Sequence, residues 1–425
     1  MDTFVCPQCF LETRPRALYS SLGKTWWSVS AEEASLYRNL CPHLDLRPNG
    51  TILGCDSMRV PIDRWLSGDA APASRYPFAN GEKSIVDVAV ATHAIETRAD
   101  LAVAFPPAIG GIFRDDDDIA ICRRNPGTVD VNSYALQDVL LAAPRLILFH
   151  DGERLSETRY YVDDHDYWIT PPPPRETREI GAGETVVVGA NLTFRNYYHW
   201  MMQCLPAIDQ SLRMADAADC VLALPELSGW QERSLALLGL GQMKRIRIDF
   251  DCHYFFRRAH WCGYLSGLTD GFLSPGALRV LDRLACGIAP ADDGPERIYV
   301  ARADTRNRVI GNEPEVRQIL EAHGFVTLVS GFLPLETQIG LFKNARVVVG
   351  GHGAGLTNLA FCQPGTVVLE LLQAAYPALY MNRIAQAKGL RYHAESFADP
   401  VGGDVNRREW FVDLKQLEAR LPGIL

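Results

Sequence analysis

No uninterrupted apolar stretch in the chain approaches the roughly 18 residues that a membrane-spanning helix needs. The opening Met1-Asp2-Thr3-Phe4-Val5-Cys6 lacks the basic start and apolar centre of a secretory signal. These absences predict neither a transmembrane helix nor a signal peptide. Positive charge is also in short supply. Lys and Arg number 42 against 51 Asp and Glu, a formal net charge of −9, which disfavours nucleic acid or an anionic membrane as a bulk partner. A disulfide framework is missing too: 11 cysteines, an odd number, are spread over 425 residues and fit reduced thiols. Only Cys6-Pro7-Gln8-Cys9 has the spacing of a metal knuckle. Cys41 and Cys55 lie too far apart to complete it, so the four thiols read as inert before they read as a zinc site. No solenoid-length repeat recurs.

What remains is a globular composition, 47% hydrophobic and 22% charged, with length for two or three domains. Residues 1–58 form a cysteine-bearing extension with a hairpin turn expected at Asn49-Gly50. Residues 59–288 mix strands and helices. Leu146-Ile147-Leu148-Phe149 and Arg159-Tyr160-Tyr161-Val162 read as strands near a turn at His150-Asp151-Gly152-Glu153. Further strands are expected at 185–189, 220–224 and 245–250, and helices over 201–208, 230–240 and 275–286. A Pro/Gly-rich linker, Ala289-Pro290-Ala291-Asp292-Asp293-Gly294-Pro295, leads into a second domain over 289–397, followed by a tail over 398–425.

The second domain alternates regularly. Strands at Arg297-Ile298-Tyr299-Val300, 326–329 and from Val347 are separated by helices over 313–323 and 335–343. That pattern predicts a parallel sheet whose ligand sits at the carboxyl ends of the strands. At its centre, Val347-Val348-Val349 runs into Gly350-Gly351-His352-Gly353-Ala354-Gly355, and Leu356, Leu359, Ala360 and Phe361 recur at helical spacing. The predicted helix places the amides of Gly353, Ala354 and Gly355 at its N-terminus, a setting that favours an anion. The loop is neither a Walker A motif nor G-x-G-x-x-G. Arg302, Arg306, Arg308, Asn312 and Glu313 follow the first strand, His352 the central one, and Glu370 ends the next. Together they make a nucleotide-diphosphate pocket: arginine forks fit diphosphate oxygens, and a carboxylate can accept from ribose hydroxyls. Asn312-x-x-Glu315 reads as a capping box. Thr357, Asn358 and Gln338 read as braces, and Cys204, Cys286 and Cys362 as core thiols. The run Asp115 to Asp118 could form a metal–diphosphate site, but like charges in a block more often form a solvated turn.

These stretches resemble glycosyltransferase family 61, in its bacterial polysaccharide-biosynthesis type. The resemblance is carried by Asn196-Tyr197-Tyr198-His199-Trp200, by Tyr299-Val300-Ala301-Arg302 through Arg308 with Asn312-Glu313, by Glu336-Thr337-Gln338 with Leu341-Phe342, and by Gly351 through Asn358 with Glu370. It implies an α/β, GT-B architecture: two Rossmann-like domains facing across a cleft, with an N-terminal extension. Residues 59–288 would take the acceptor and 289–397 the donor. It implies inverting transfer from a nucleotide-sugar, a UDP-sugar favoured, to a glycan acceptor, with no cofactor and no metal. It also implies cytoplasmic work on capsule or lipopolysaccharide, with peripheral association at the inner membrane and no nucleic acid. One departure touches acceptor recognition: Leu205-Pro206-Ala207 stands where the family often carries Leu-Pro-Arg.

Inverting transfer needs a base for the acceptor hydroxyl and positive charge for the departing nucleoside diphosphate. His199, which can titrate near neutrality, is the expected base. Glu313 is a second catalytic candidate, or positions Arg302, and Asp209 and Asp304 are rivals. Arg302, Arg306, Arg308, Asn312, His352, Gly353, Ala354, Gly355, Asn358 and Glu370 form the expected donor site. Two other readings keep the pocket but change the outcome: a nucleotide-sugar epimerase, or a degenerate glycan- or nucleotide-binding subunit.

Overall fold

A computed structural model describes residues 82–96, 130–143, 146–158, 176–215, 219–266, 273–376, 380–398 and 409–425, and the backbone of a few short strands beyond them. The expectations placed on the thiols of Cys6, Cys9, Cys41 and Cys55, on the Asn49-Gly50 turn, on Asp115 to Asp118 and on a strand at 159–162 lie outside the described residues. The chain forms two compact units.

The first unit comprises Met1–Val90, Leu136–Val186 and Arg247–Ala259. Its clearest local feature is the turn read from sequence. Asp151 (φ 49°) and Gly152 (φ 80°) are both left-handed, as a two-residue type I′ hairpin loop requires. Ile147–His150 therefore pairs antiparallel with Glu153–Leu155. On its other edge it meets the run Val139 to Ala142, and Leu140, Ile147 and Phe149 bury against Phe255. Glu176–Ile180 lies parallel to the run Cys252 to Phe256. There Arg178 pairs with Glu176 and Asp249, and Arg257 with Asp138 and Glu179.

The second unit comprises Ala91–Ala135, Val187–Ile246 and His260–Leu425. Its centre is an open parallel sheet with β1 (Arg297–Val300), β2 (Val326–Leu328), β3 (Val347–Gly351), β4 (Val367–Gln373) and β5 (Arg391–Phe397). Spatial order is β2-β1-β3-β4-β5, with Ile109–Gly111 added beyond β5, and every pairing is parallel. In this order the chain reverses direction between β1 and β3, and such a switch point opens a crevice beyond the carboxyl ends of the two strands. Helices α1 (Glu313–Ala322), α2 (Leu335–Asn344) and α3 (Tyr380–Ala387) connect the strands. Val316 and Leu320 of α1 pack on Tyr299, Val349 and Leu369, and Trp410 and Leu417 close the same core. The stretch 289–295 belongs to this unit, where Ala291 N–H donates to Gly340 O at 3.0 Å and Asn344 Nδ2 to Gly294 O at 2.5 Å.

Upstream in this unit, Tyr197–His199 is α-helical, Trp200–Cys204 is a π-helical turn, and Leu205–Met214 is α-helical again. Single π turns inside α-helices concentrate at functional sites. Helix Pro275–Ala285 matches expectation, but Cys286 behind it is exposed rather than a core thiol, because it caps the helix end outside the apolar stripe. Cys204 and Cys362 are buried; burial pushes the Cys204 thiol up to about 12 and raises that of Cys362.

Two further expectations change. The helix after the glycine loop is a 3₁₀ helix, Ala354–Phe361, opened by Leu356 N–H on Gly353 O. Its Gly, Thr and Asn residues have low α-helical propensity, so the tighter turn prevails and the argument from an α-helix terminus does not apply. Asn312 stands at the start of α1 but makes no capping bond. Its side chain instead clamps Val412, donating from Nδ2 to Val412 O (2.8 Å) and accepting from Val412 N–H (3.0 Å). Asn312→Ala should remove both bonds and cost about 2 kcal/mol of stability. Urea unfolding measures that loss, and hydrogen exchange should quicken first in residues 409–425.

Candidate functional site

The site begins where β1 ends. Arg302 is 8% exposed, and three of the five N–H donors of its guanidinium go to backbone carbonyls. Nε donates to Arg308 O (3.1 Å), Nη2 to Asn307 O (2.6 Å) and Nη1 to His352 O (2.6 Å). One side chain thus ties the loop after β1 to the loop after β3. Glycine makes this approach possible. A Cβ on Gly353 would collide with Arg302 Nη1, and one on Gly351 would fall 2.9 Å from Arg302 Cδ. Burial, helped by the charge of Arg308, lowers the Arg302 pKa to about 10, so it still carries its proton at neutral pH.

Arg308 adopts a left-handed backbone (φ 52°), costly for a side chain other than glycine. That conformation turns its carbonyl to accept from both Arg302 Nε and Trp410 Nε1 (3.0 Å). Its guanidinium lies 4.6 Å over the Tyr376 ring. Glu313 Oε1 accepts from the Arg302 amide (2.8 Å) and from the Tyr299 hydroxyl (2.9 Å). Glu313 therefore braces the end of β1. Arg306 is exposed.

Glu370 does not end its strand. β4 continues to Gln373, which leaves Glu370 fully buried in mid-strand. A buried carboxylate must be compensated. Here His352 Nδ1 lies 2.6 Å from Glu370 Oε1, and the Tyr392 hydroxyl donates to Oε2. The carboxylate fixes the proton of neutral His352 on Nδ1 and leaves Nε2 as acceptor. Burial depresses the His352 pKa and Glu370 opposes that shift, with the net direction downward.

His199 shows the same geometry with a neutral partner. Gln203 Nε2 donates to Ser266 O (2.8 Å), which directs Gln203 Oε1 towards Asn191 Nδ2 (3.2 Å) and His199 Nδ1 (3.0 Å). Nδ1 thus donates, and Nε2 is the basic atom. Burial lowers the His199 pKa to about 4 against the Gln203 bond. The two histidines are joined by rings: His199 to Tyr198 at 5.4 Å, Tyr198 to Tyr380 at 6.0 Å, and Tyr380 to His352 at 6.1 Å. Asn358, fully buried, accepts from the Tyr197 hydroxyl (2.6 Å) and donates to Gln338 Oε1 (2.8 Å), the bracing role read from sequence. Asp209 is taken up by Arg213 and Arg283; burial works against its charge, but those bonds outweigh it and hold its pKa low.

A cavity of about 700 Å³ opens over the ends of β1, β2 and β3. Arg302, Asp304 and Arg308 line it from β1, residues 330–335 from β2, and Gly351, Ala354 and Gly355 from β3. Arg195, Tyr197, Trp230 and Arg233 form the opposite wall, and Arg233 pairs with Glu336. Neither His199 nor His352 lines it, nor do Arg306, Asn312, Glu313, Asn358 or Glu370. Sequence reading missed the wall of Arg195, Trp230 and Arg233 and the tyrosines around His352. It also missed the turn after β2, although the rule that singled out Arg302 and His352, polar groups just beyond a strand, applies there equally. Among the described residues no group of three or more His, Cys, Asp or Glu side chains converges as a metal site would need, and no helix is long and apolar enough to cross a membrane.

The family model for Glycosyltransferase 61 matches residues 197–369. The chain is 34% identical over 77 residues to a beta-1,2-xylosyltransferase of Arabidopsis thaliana, covering 17% of this chain and 14% of that protein. It is 33% identical over 137 residues to the EGF domain-specific O-linked N-acetylglucosamine transferase of Drosophila melanogaster, 30% of this chain and 26% of that protein. The corresponding Xenopus laevis protein is 32% identical over 144 residues, 32% of this chain and 26% of its own length. The chain thus matches about a quarter or less of the length of these relatives. They are plant and animal proteins and lend no support to a bacterial polysaccharide type.

The depressed pKa of His199 links stability to pH. The unfolded chain takes up this proton near the ordinary 6.5, the folded chain only near 4. Stability is therefore full above pH 6.5 and falls as pH drops towards 4, by roughly 3 kcal/mol from this group. The urea midpoint followed from pH 7 to 4 should show that slope, and His199→Gln should flatten it. An equal slope in the variant would exclude a buried, neutral His199.

Proposed function

We propose that the second unit binds the nucleoside diphosphate of an activated sugar and transfers the sugar, with inversion, to a hydroxyl of a glycan. The observation that carries this reading is the pair Arg302 and Arg308 beside the Gly351–Gly355 backbone, at the switch point of a parallel sheet and facing a cavity of about 700 Å³. The matched family stretch contains all of these residues. Burial and the charge of Arg308 disfavour the charged form of Arg302, and a diphosphate offsets both while meeting the N–H donors that the backbone leaves free.

The step is a single displacement. The acceptor oxygen bonds to the anomeric carbon as the bond from that carbon to the phosphate oxygen breaks. The electron pair leaves with the nucleoside diphosphate, whose charge Arg302 and Arg308 stabilise. The acceptor proton passes to His199 Nε2, neutral and unprotonated at physiological pH. Glu313 is a positioning residue for Arg302, and Glu370 for His352. Because guanidinium groups supply the charge stabilisation, no metal is required. The GT-B arrangement is part of the same proposal, with residues 289–397 holding the donor and 59–288 supplying the acceptor side.

Release of nucleotide from UDP-, GDP-, CMP- and dTDP-sugars, with and without EDTA, tests this reading. One donor should turn over equally in EDTA. Arg308→Ala should slow it by about 100-fold. His199→Ala should slow transfer to an acceptor by on the order of 100-fold or more while leaving nucleotide binding intact. Loss in EDTA would overturn the metal-free mechanism and point to Asp115 to Asp118. No binding of any nucleotide would overturn the donor site.

A further inference from the structure

The far end of the cavity holds two features that the diphosphate reading leaves unused. Ser330, 4% exposed, lines the cavity, and its Oγ has no hydrogen-bond partner among the described residues. A buried hydroxyl without a partner calls for an explanation. Two residues on, Phe332 lines the same cavity and is 73% exposed, the most exposed of the large hydrophobic side chains in the described residues. Isolated surface phenylalanines are ordinary; one on a cavity wall beside an unsatisfied hydroxyl offers a flat apolar face and a polar edge together.

The turn that carries them is firmly held. Gly331 N–H donates to Asp304 Oδ2 (2.9 Å), Leu333 N–H to Ser330 O (3.1 Å) and Gln338 Nε2 to Leu333 O (2.9 Å). Position fixes what can reach it. The turn follows β2, the neighbour of β1, while the His352 loop follows β3 on the other side of β1. One strand spacing, about 5 Å, separates the ends of β1 and β2. A nucleoside whose diphosphate lies against Arg302 and Arg308 at the end of β1 reaches that turn. Ser330 also stands beside the glycine loop, its Oγ 3.8 Å from where a Cβ on Gly355 would lie.

We infer that the turn Ser330–Phe332 seats the nucleobase of the donor, with the Phe332 ring stacked on the face of the base and the Ser330 hydroxyl bonded to its edge. This rests on the donor reading above and adds to it the group that distinguishes a nucleotide from a bare diphosphate. The pairing is suited to a planar heterocycle with donors and acceptors on its rim.

Calorimetry on the full chain with UDP, GDP and inorganic pyrophosphate tests it. Wild type should bind one nucleoside diphosphate more tightly than pyrophosphate, by on the order of tenfold or more, as base stacking provides. Phe332→Ala should erase most of that advantage and leave pyrophosphate binding unchanged, and Phe332→Tyr should restore it. Ser330→Ala should weaken the nucleotide several-fold without affecting pyrophosphate. Phe332 is exposed, so its replacement leaves the fold intact. If both alanine variants bind nucleotide as wild type does, the base sits elsewhere and the donor site stands. If wild type prefers no nucleotide over pyrophosphate, the turn seats no base. If it binds neither, the donor reading falls and this inference with it.

Discussion

Arg302 is the constraint on which the rest of the site depends. Its three N–H bonds to the carbonyls of Arg308, Asn307 and His352 hold together two loops that leave neighbouring strands. Each bond is charge-assisted and worth more than a neutral one, which is how a cation survives burial here. The bonding has consequences along the chain. Gly353 must lack a side chain, Arg308 must take a left-handed backbone, and Glu313 must hold the Arg302 amide in line. Trp410, 102 residues on, shares the Arg308 carbonyl and so joins the C-terminal core to the same turn. The geometry around one guanidinium thus explains residue choices that look unrelated in sequence.

The two buried histidines are oriented by the same device with different chemistry. In both, an oxygen at Nδ1 leaves Nε2 as the acceptor. Gln203 is neutral, so it orients His199 without stabilising its charged form, and burial keeps the ring unprotonated. Glu370 is a carboxylate and favours the charged form of His352, while burial and the charges of Arg308 and Arg302 oppose it. His199 is therefore unprotonated at neutral pH. His352 is balanced between opposing charges, and any anion placed near the arginines shifts that balance towards protonation.

How much of this was legible in sequence depended on the range of the interaction. Strands β1 to β4 were readable because β-branched runs bounded by turn residues are local signals, and the Asp151-Gly152 turn likewise. The reading failed where the deciding partner is distant or where local signals tie. Eight residues with apolar positions at three- and four-residue spacing cannot separate 3₁₀ from α, so the turn after Gly353 was misassigned. No punctuation follows Glu370, since Leu371-Leu372-Gln373 continue the strand, and its depth was hidden. Asn312 looked like a cap because its real partner, Val412, lies 100 residues away. The wall of Arg195, Trp230 and Arg233 meets the sheet only in three dimensions.

The boundaries of the family match acquire a physical meaning against this geometry. The matched stretch opens at Tyr197, on the helix that carries His199, and closes at Leu369, one residue before Glu370. It therefore holds Arg302, Arg308, the glycine loop and the turn after β2, all of which contribute to the lining of the cavity. The groups that surround His352, namely Glu370, Tyr376, Tyr380 and Tyr392, all lie beyond it. Arg302 reaches His352 through the backbone carbonyl, a contact that any residue at 352 preserves, whereas the proton balance of the imidazole is set jointly by Glu370 just outside the match and by burial and the charges of Arg302 and Arg308 inside it. The arginines that line the cavity thus weigh on the imidazole from within the match, and the carboxylate from one residue beyond it. A change at Glu370 in β4 or Tyr392 in β5 can therefore alter the imidazole while the Arg302 bond to the His352 carbonyl persists.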